Sequence, residues 1–135
     1  MVSLKTFVAA TLVALPSVSA YLVGMTAPSI AAAGSTITAT FDVAIYIQNW
    51  QDFSIIWGLS TIDPRSCPDT ICLGTQITYN TIYPDNPDPG NYNIDVKIPA
   101  TQAKGNYTLV AAVPYLVGAS GMTDIRNFTS AITIT

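Results

Sequence analysis

From residue 37 to residue 47 every odd position is small or apolar: Ile37, Ala39, Phe41, Val43, Ile45 and Ile47. Thr36, Thr38, Thr40 and Asp42 fall between them. Successive side chains of a strand point to opposite faces, so a period of two predicts a half-buried strand, either one long strand or two joined at a bend. The same alternation returns along the chain. Residues 22–25 predict a first strand ended by Pro28. Phe53, Ile55, Trp57 and Leu59 predict a third, and residues 76–82 a weaker fourth. The punctuation at 85–90 (DNPDPG) is a loop. Tyr92, Ile94, Val96 and Ile98 then alternate with polar residues until Pro99. Gly105 opens a sixth strand with Tyr107, Leu109, Ala111 and Val113 on one face, and Pro114 is expected to stop it. Phe128, Ser130, Ile132 and Ile134 face inward on the last. No window carries helical periodicity. About seven short strands separated by turns predict an all-β fold, an Ig-like antiparallel β-sandwich with Trp57 as its central core aromatic. Residues 98–110 (IPATQAKGNYTLV) resemble the crossing between the fifth and sixth strands of immunoglobulin-like and fibronectin-type domains.

The start of the chain has a different design. Lys5 is followed by an almost wholly apolar run at 6–15, then Pro16 and the small residues Val18, Ser19 and Ala20. This is the pattern of a secretory signal peptide over residues 1–20, with the mature domain at 21–135 beginning at Tyr21. The apolar run is about half the ~20 residues that a membrane span needs. The end of the chain, 130–135, lacks the hydrophobic tail of a lipid-anchor signal, so a soluble product is expected. Without Lys5 the net charge is 4 − 8 = −4, which argues against nucleic acid and anionic membranes as partners. The chain has no His and no Glu, which removes Ser-His, Cys-His and His-containing metal sites. A hydrolase built on two Asp is formally possible but has no positive support, and no catalytic residue, metal or cofactor is expected.

Four groups of residues stand out. Cys67 and Cys72 bracket four residues, and in a secreted chain the expected state is a disulfide closing a short loop, contributing ~2 kcal/mol. A redox pair or half a metal site is the alternative, and neither spacing nor further ligands favour it. Asn106 and Asn127 open the tripeptides NYT and NFT, acceptors for N-glycans, each one position before an inward aromatic and therefore facing solvent. Tyr46, Trp50, Tyr79, Tyr83 and Tyr115 are aromatics on the even parity or near strand ends; most are expected to cap the sandwich, while Trp50 and Tyr115, beside loops, are candidate partner contacts. Finally, 114–122 (PYLVGASGM) is unusually apolar for a connection. Tyr115, Leu116, Val117 and Met122 make it a candidate contact surface with Tyr115 as anchor, or else a strand continued past a proline bulge.

The signal pattern, residues 31–39 (AAAGSTITA), 46–49 (YIQN), 98–100 (IPA), 104–105 (KG) and 115–120 (YLVGAS) together resemble the necrosis-inducing secreted protein family of fungal effectors, over essentially the whole mature chain. The resemblance implies a monomeric, non-enzymatic protein released by plant-associated fungi. It implies suppression of pattern-triggered immunity by binding and inhibiting host plant immune receptor kinases or receptor-like cytoplasmic kinases, in some members with cell death. It also implies passage into the host cytoplasm, where a short disulfide is exposed to reduction; the alternating strands are expected to hold the fold without it. In a different class, 28–38 (PSIAAAGSTIT) resembles the start of secreted Ig-like cell-wall proteins that help assemble glucan, without their Ser/Thr-rich stalk and lipid anchor.

Overall fold

A computed structural model describes residues 19–135; the expected signal-peptide core at 6–15 lies outside them. Among these residues nine strands follow in order: β1 (Ser19–Thr26), β2 (Ile30–Ala31), β3 (Thr36–Tyr46), β4 (Trp50–Asp52), β5 (Ser54–Ser60), β6 (Thr75–Thr81), β7 (Gly90–Lys97), β8 (Gly105–Val117) and β9 (Met122–Ile134). A 3-10 turn, Pro64–Ser66, interrupts the β5–β6 connection. One sheet has the order β1-β3-β7 and the other β2-β9-β8-β5-β6, with β4 also paired to β8. Among the described residues only the two-residue β2 pairs in parallel, with β9. The architecture is the expected all-β sandwich, and the count exceeds seven because two short strands, β2 and β4, fill ladder positions beside longer ones.

The alternation does what its period demands. Ile37, Ala39, Phe41 and Val43 on β3 face Ile55, Trp57 and Leu59 on β5, with Ile94, Val96, Leu109, Ala111, Val113 and Ile132 completing the core. Trp57 is fully buried and packs near Phe41, ring centroids 5.9 Å apart. Its indole nitrogen donates to Asn80 Oδ1 at 2.8 Å, so the buried polar atom is satisfied. At the β7–β8 crossing the Tyr107 hydroxyl donates to the Ala103 carbonyl at 2.8 Å. This is the tyrosine corner of Ig-like sandwiches, and it accounts for the likeness of 98–110 to such a crossing.

Three expectations need correction. Pro114 does not stop the sixth strand: β8 continues to Val117, and Pro114 pairs with Ile125 of β9. On its other edge, β8 leaves β5 after Ala112 and joins β4 from Tyr115. Pro114 therefore sits at a gap in that ladder, where a missing N–H costs little, and its carbonyl accepts from Phe53 N at 3.0 Å. Ile45 and Ile47 are not inward but 62% and 83% exposed. The β7 ladder ends at the Val43–Gly90 pair, so beyond it β3 has lost one neighbour, and Tyr46 rather than Ile45 turns onto the aromatics of the other sheet. Phe53 is half-buried at the break between β4 and β5 instead of inside the third strand.

Cys67 and Cys72 form the expected disulfide, their Cα atoms 6.0 Å apart. Their loop returns over the outer face of β5. A Cβ on Gly58 would collide with the Leu73 carbonyl oxygen, and Gly74 adopts φ +74° where it meets the Leu59 backbone. Both positions need glycine, one for close approach and one for left-handed backbone.

Candidate functional site at the loop end

The strand registers bring four chain segments to one end of the sandwich. Ser19 pairs with Tyr46, Val43 with Gly90, Ser54 with Thr81, and Val117 with both Trp50 and Met122. The turns at 47–49 and 118–121, the loop at 82–89 and the start of β1 therefore lie together. Gly118 N donates to the Asn49 carbonyl at 2.9 Å and joins two of them directly.

Behind these loops the inner face of the larger sheet ends in a charged residue. Arg126 lies on β9 two positions before Phe128 and shares its inward side. Its guanidinium donates to Asp52 at 2.8 and 3.1 Å and to the Leu22 carbonyl. It also lies 4.8 Å from the Trp50 ring centroid and 5.3–5.4 Å from those of Tyr21, Tyr115 and Phe128. Arg126 Nε is buried with no hydrogen-bond partner among the described residues. A planar, weakly hydrated guanidinium suits such an aromatic enclosure, and each desolvated contact contributes up to about 2 kcal/mol. Asp52 is fully buried and accepts further from Leu22 N at 3.1 Å and Trp50 Nε1 at 2.9 Å. With its oxygens so engaged, the carboxylate is a structural counter-ion with no lone pair aimed at solvent chemistry.

Asn86 locks the same region from the loop side. Its Nδ2 donates to the carbonyls of Ala20 (2.6 Å) and Trp50 (2.8 Å), and its Oδ1 accepts from Asp52 N and Gln51 Nε2, both at 3.0 Å. All four capacities of the amide are used. Trp50 N donates to Ser19 Oγ at 3.1 Å. The expected cleavage between Ala20 and Tyr21 falls inside β1. It would remove the Ser19 and Ala20 partners and leave Tyr21 onward paired with β3.

The sequence candidates distribute as follows. Trp50 and Tyr115 stack, centroids 4.6 Å apart and planes within 7°. Val117 pairs with Trp50 and with Met122, so these four gather at the loop end. Leu116 belongs to the same hairpin but takes the outer side of β8, near Gly121. Tyr79 is exposed on β6, and Tyr83 is exposed in the 82–89 loop, where it stacks on Phe53. The disulfide is at the opposite end, and Asn106 and Asn127 are exposed on β8 and β9.

Over the packed base stands an open rim. Met122 is 67% exposed and joins Ile45 and Ile47 as large apolar side chains facing water. The exposed acids Asp85, Asp88 and Asp124 lie at this end, and Ile45, Trp50, Asp85 and Asp88 line one shallow groove. Arg65, Lys97 and Lys104 are all toward the other end. Sequence reading missed Arg126, Asp52, Asn86 and Tyr21. Arg126 could have been found, because it shares parity with Phe128, Ser130, Ile132 and Ile134, and an inward charge requires a buried partner. Asp52 could not, because the break at Phe53 reverses parity between β4 and β5.

The profile described as the Nis1 family matches residues 18–133. Necrosis-inducing secreted protein 1 of Colletotrichum higginsianum (strain IMI 349063) is 30% identical over 117 residues, which span 86% of this chain and 79% of that protein. On this near full-length match and this relative, the chain belongs to the Nis1 family of secreted effectors.

Proposed function

We propose that this protein binds host plant immune kinases, receptor kinases or receptor-like cytoplasmic kinases, and inhibits them through its loop end. Family membership supports a secreted effector, and the relative named for necrosis induction supports cell death as one outcome. The observation that carries the choice of surface is the pairing of an exposed apolar rim, Ile45, Ile47 and Met122, with a base held rigid by the Arg126–Asp52–Asn86 network. Preformed surfaces lose less entropy on docking, and apolar anchors in a polar surround are where binding energy concentrates. The disulfide lies at the far end, so its reduction after entry into a host cell leaves the rim in place.

The test is inhibition of host immune-kinase phosphorylation by the purified secreted protein. Inhibition by the natural chain and a loss of about tenfold or more in Ile47→Asp and Met122→Asp, with unchanged melting, is the expected result. Retention on insoluble glucan with no effect on any immune kinase overturns it in favour of the cell-wall reading. Unaltered inhibition by both variants moves the contact away from the rim.

A further inference from the structure

We infer that Asn106 and Asn127 both carry N-linked glycans, and that the two glycans occupy one surface, the outer face of the β8–β9 hairpin. The inference is independent of the kinase reading. Both tripeptides lie in a secreted chain, and the structure puts them on the same side of the same ladder: Asn106 pairs with Thr133, and Ala112 with Asn127. The intervening aromatics, Tyr107 and Phe128, take the opposite side, Phe128 packing edge-on to Phe41 at 5.6 Å. The surroundings are permissive for a sugar. Asn127 is exposed and its cross-strand neighbour is an alanine. Asn106 is exposed and accepts from Thr133 Oγ1 through Oδ1 at 2.9 Å. A glycan is attached through Nδ2, which has no partner among the described residues, so attachment keeps that hydrogen bond and the amide arrives already oriented. Six residues of strand separate Asn106 from the partner of Asn127, about 20 Å, so the two glycans do not collide.

The step is a group transfer from a polyprenyl-diphosphate-linked oligosaccharide, as in the secretory pathway. Asn Nδ2 attacks the anomeric carbon, the carbon–oxygen bond to the diphosphate breaks, Nδ2 loses a proton, and polyprenyl diphosphate leaves. Two glycans on this face withdraw it from protein contacts and leave the loop end open.

The experiment is intact-mass analysis of the protein secreted by a fungal host, before and after a peptide-N-glycosidase that releases the glycan and converts each modified Asn to Asp. Two glycan masses are expected on the natural chain, one on Asn106→Gln, one on Asn127→Gln, and none on the double variant. Thr129→Ala, which keeps Asn127, should also lose one. An unmodified mass for the natural chain, or a single glycan that only one of the two substitutions removes, overturns the inference.

Discussion

The two ends of this sandwich are closed by different means. At the end with the 61–74 and 98–104 connections, the disulfide and the tyrosine corner are local: Cys67 to Cys72 across a separation of 5, and Tyr107 to Ala103 across 4. The distant ties there run mainly through the backbone, from the 33–35 turn to Ile98, Pro99 and Thr135. At the loop end the distant ties are a side-chain network: Arg126 reaches Asp52 across 74 residues and Leu22 across 104, and Asn86 reaches Ala20 across 66. The local end carries the basic residues Arg65, Lys97 and Lys104. The distant end carries Asp85, Asp88 and Asp124 without those basic residues, a buried charge and the apolar rim, while Asp63, Asp69 and Asp95 lie with the basic residues. A network assembled from β1, β4, β9 and the 82–89 loop exists only when both sheets are in place, so integrity of the rim reports on the whole fold. A disulfide that trims one loop does not report in that way.

If this contrast is right, the largest effect comes from Asp52→Ala. It leaves Arg126 charged and without its counter-ion among aromatic rings, and should cost about 3–5 kcal/mol in denaturant unfolding. A loss below ~1 kcal/mol would mean that the ion pair is incidental and the two ends are alike. Next is Tyr115→Ala. Its half-buried ring stacks on Trp50 and lies against Arg126, so truncation should cost about 2–3 kcal/mol as well as disturbing the rim. Calorimetry on the variant, read beside kinase inhibition, separates the two contributions. Replacing Cys67 and Cys72 together by Ser should cost about 2 kcal/mol or less, with a cooperative transition retained at room temperature. Loss of that transition would make the local end a core staple and reverse the comparison. Smallest is Ile47→Asp, expected to shift stability by no more than ~0.5 kcal/mol because the side chain stands in water. A larger loss would show that Ile47 is a packing residue and not part of an open rim.

Much of this was legible before folding was considered. The alternation on β3, β5 and β7 reports which side of each strand is apolar, and hydrophobic burial then forces two such faces together, with Trp57 at the centre. A disulfide between two nearby cysteines and a tyrosine corner between residues 103 and 107 need only local chain, so they could be anticipated from short windows. Tertiary structure alone decided where the core stops. Ile45 carries the same inward parity as Val43, yet it is exposed because β7 ends opposite Val43, and nothing in the β3 sequence records the length of its neighbour. Pro114 is tolerated because β4 and β5 leave a gap beside it. Asp52 and Arg126 find each other only after β4 and β9 are laid on the same sheet face. A strand's own residues encode its two sides. Its neighbours, its covered length and the partner of a buried charge are set by chain that lies tens of residues away.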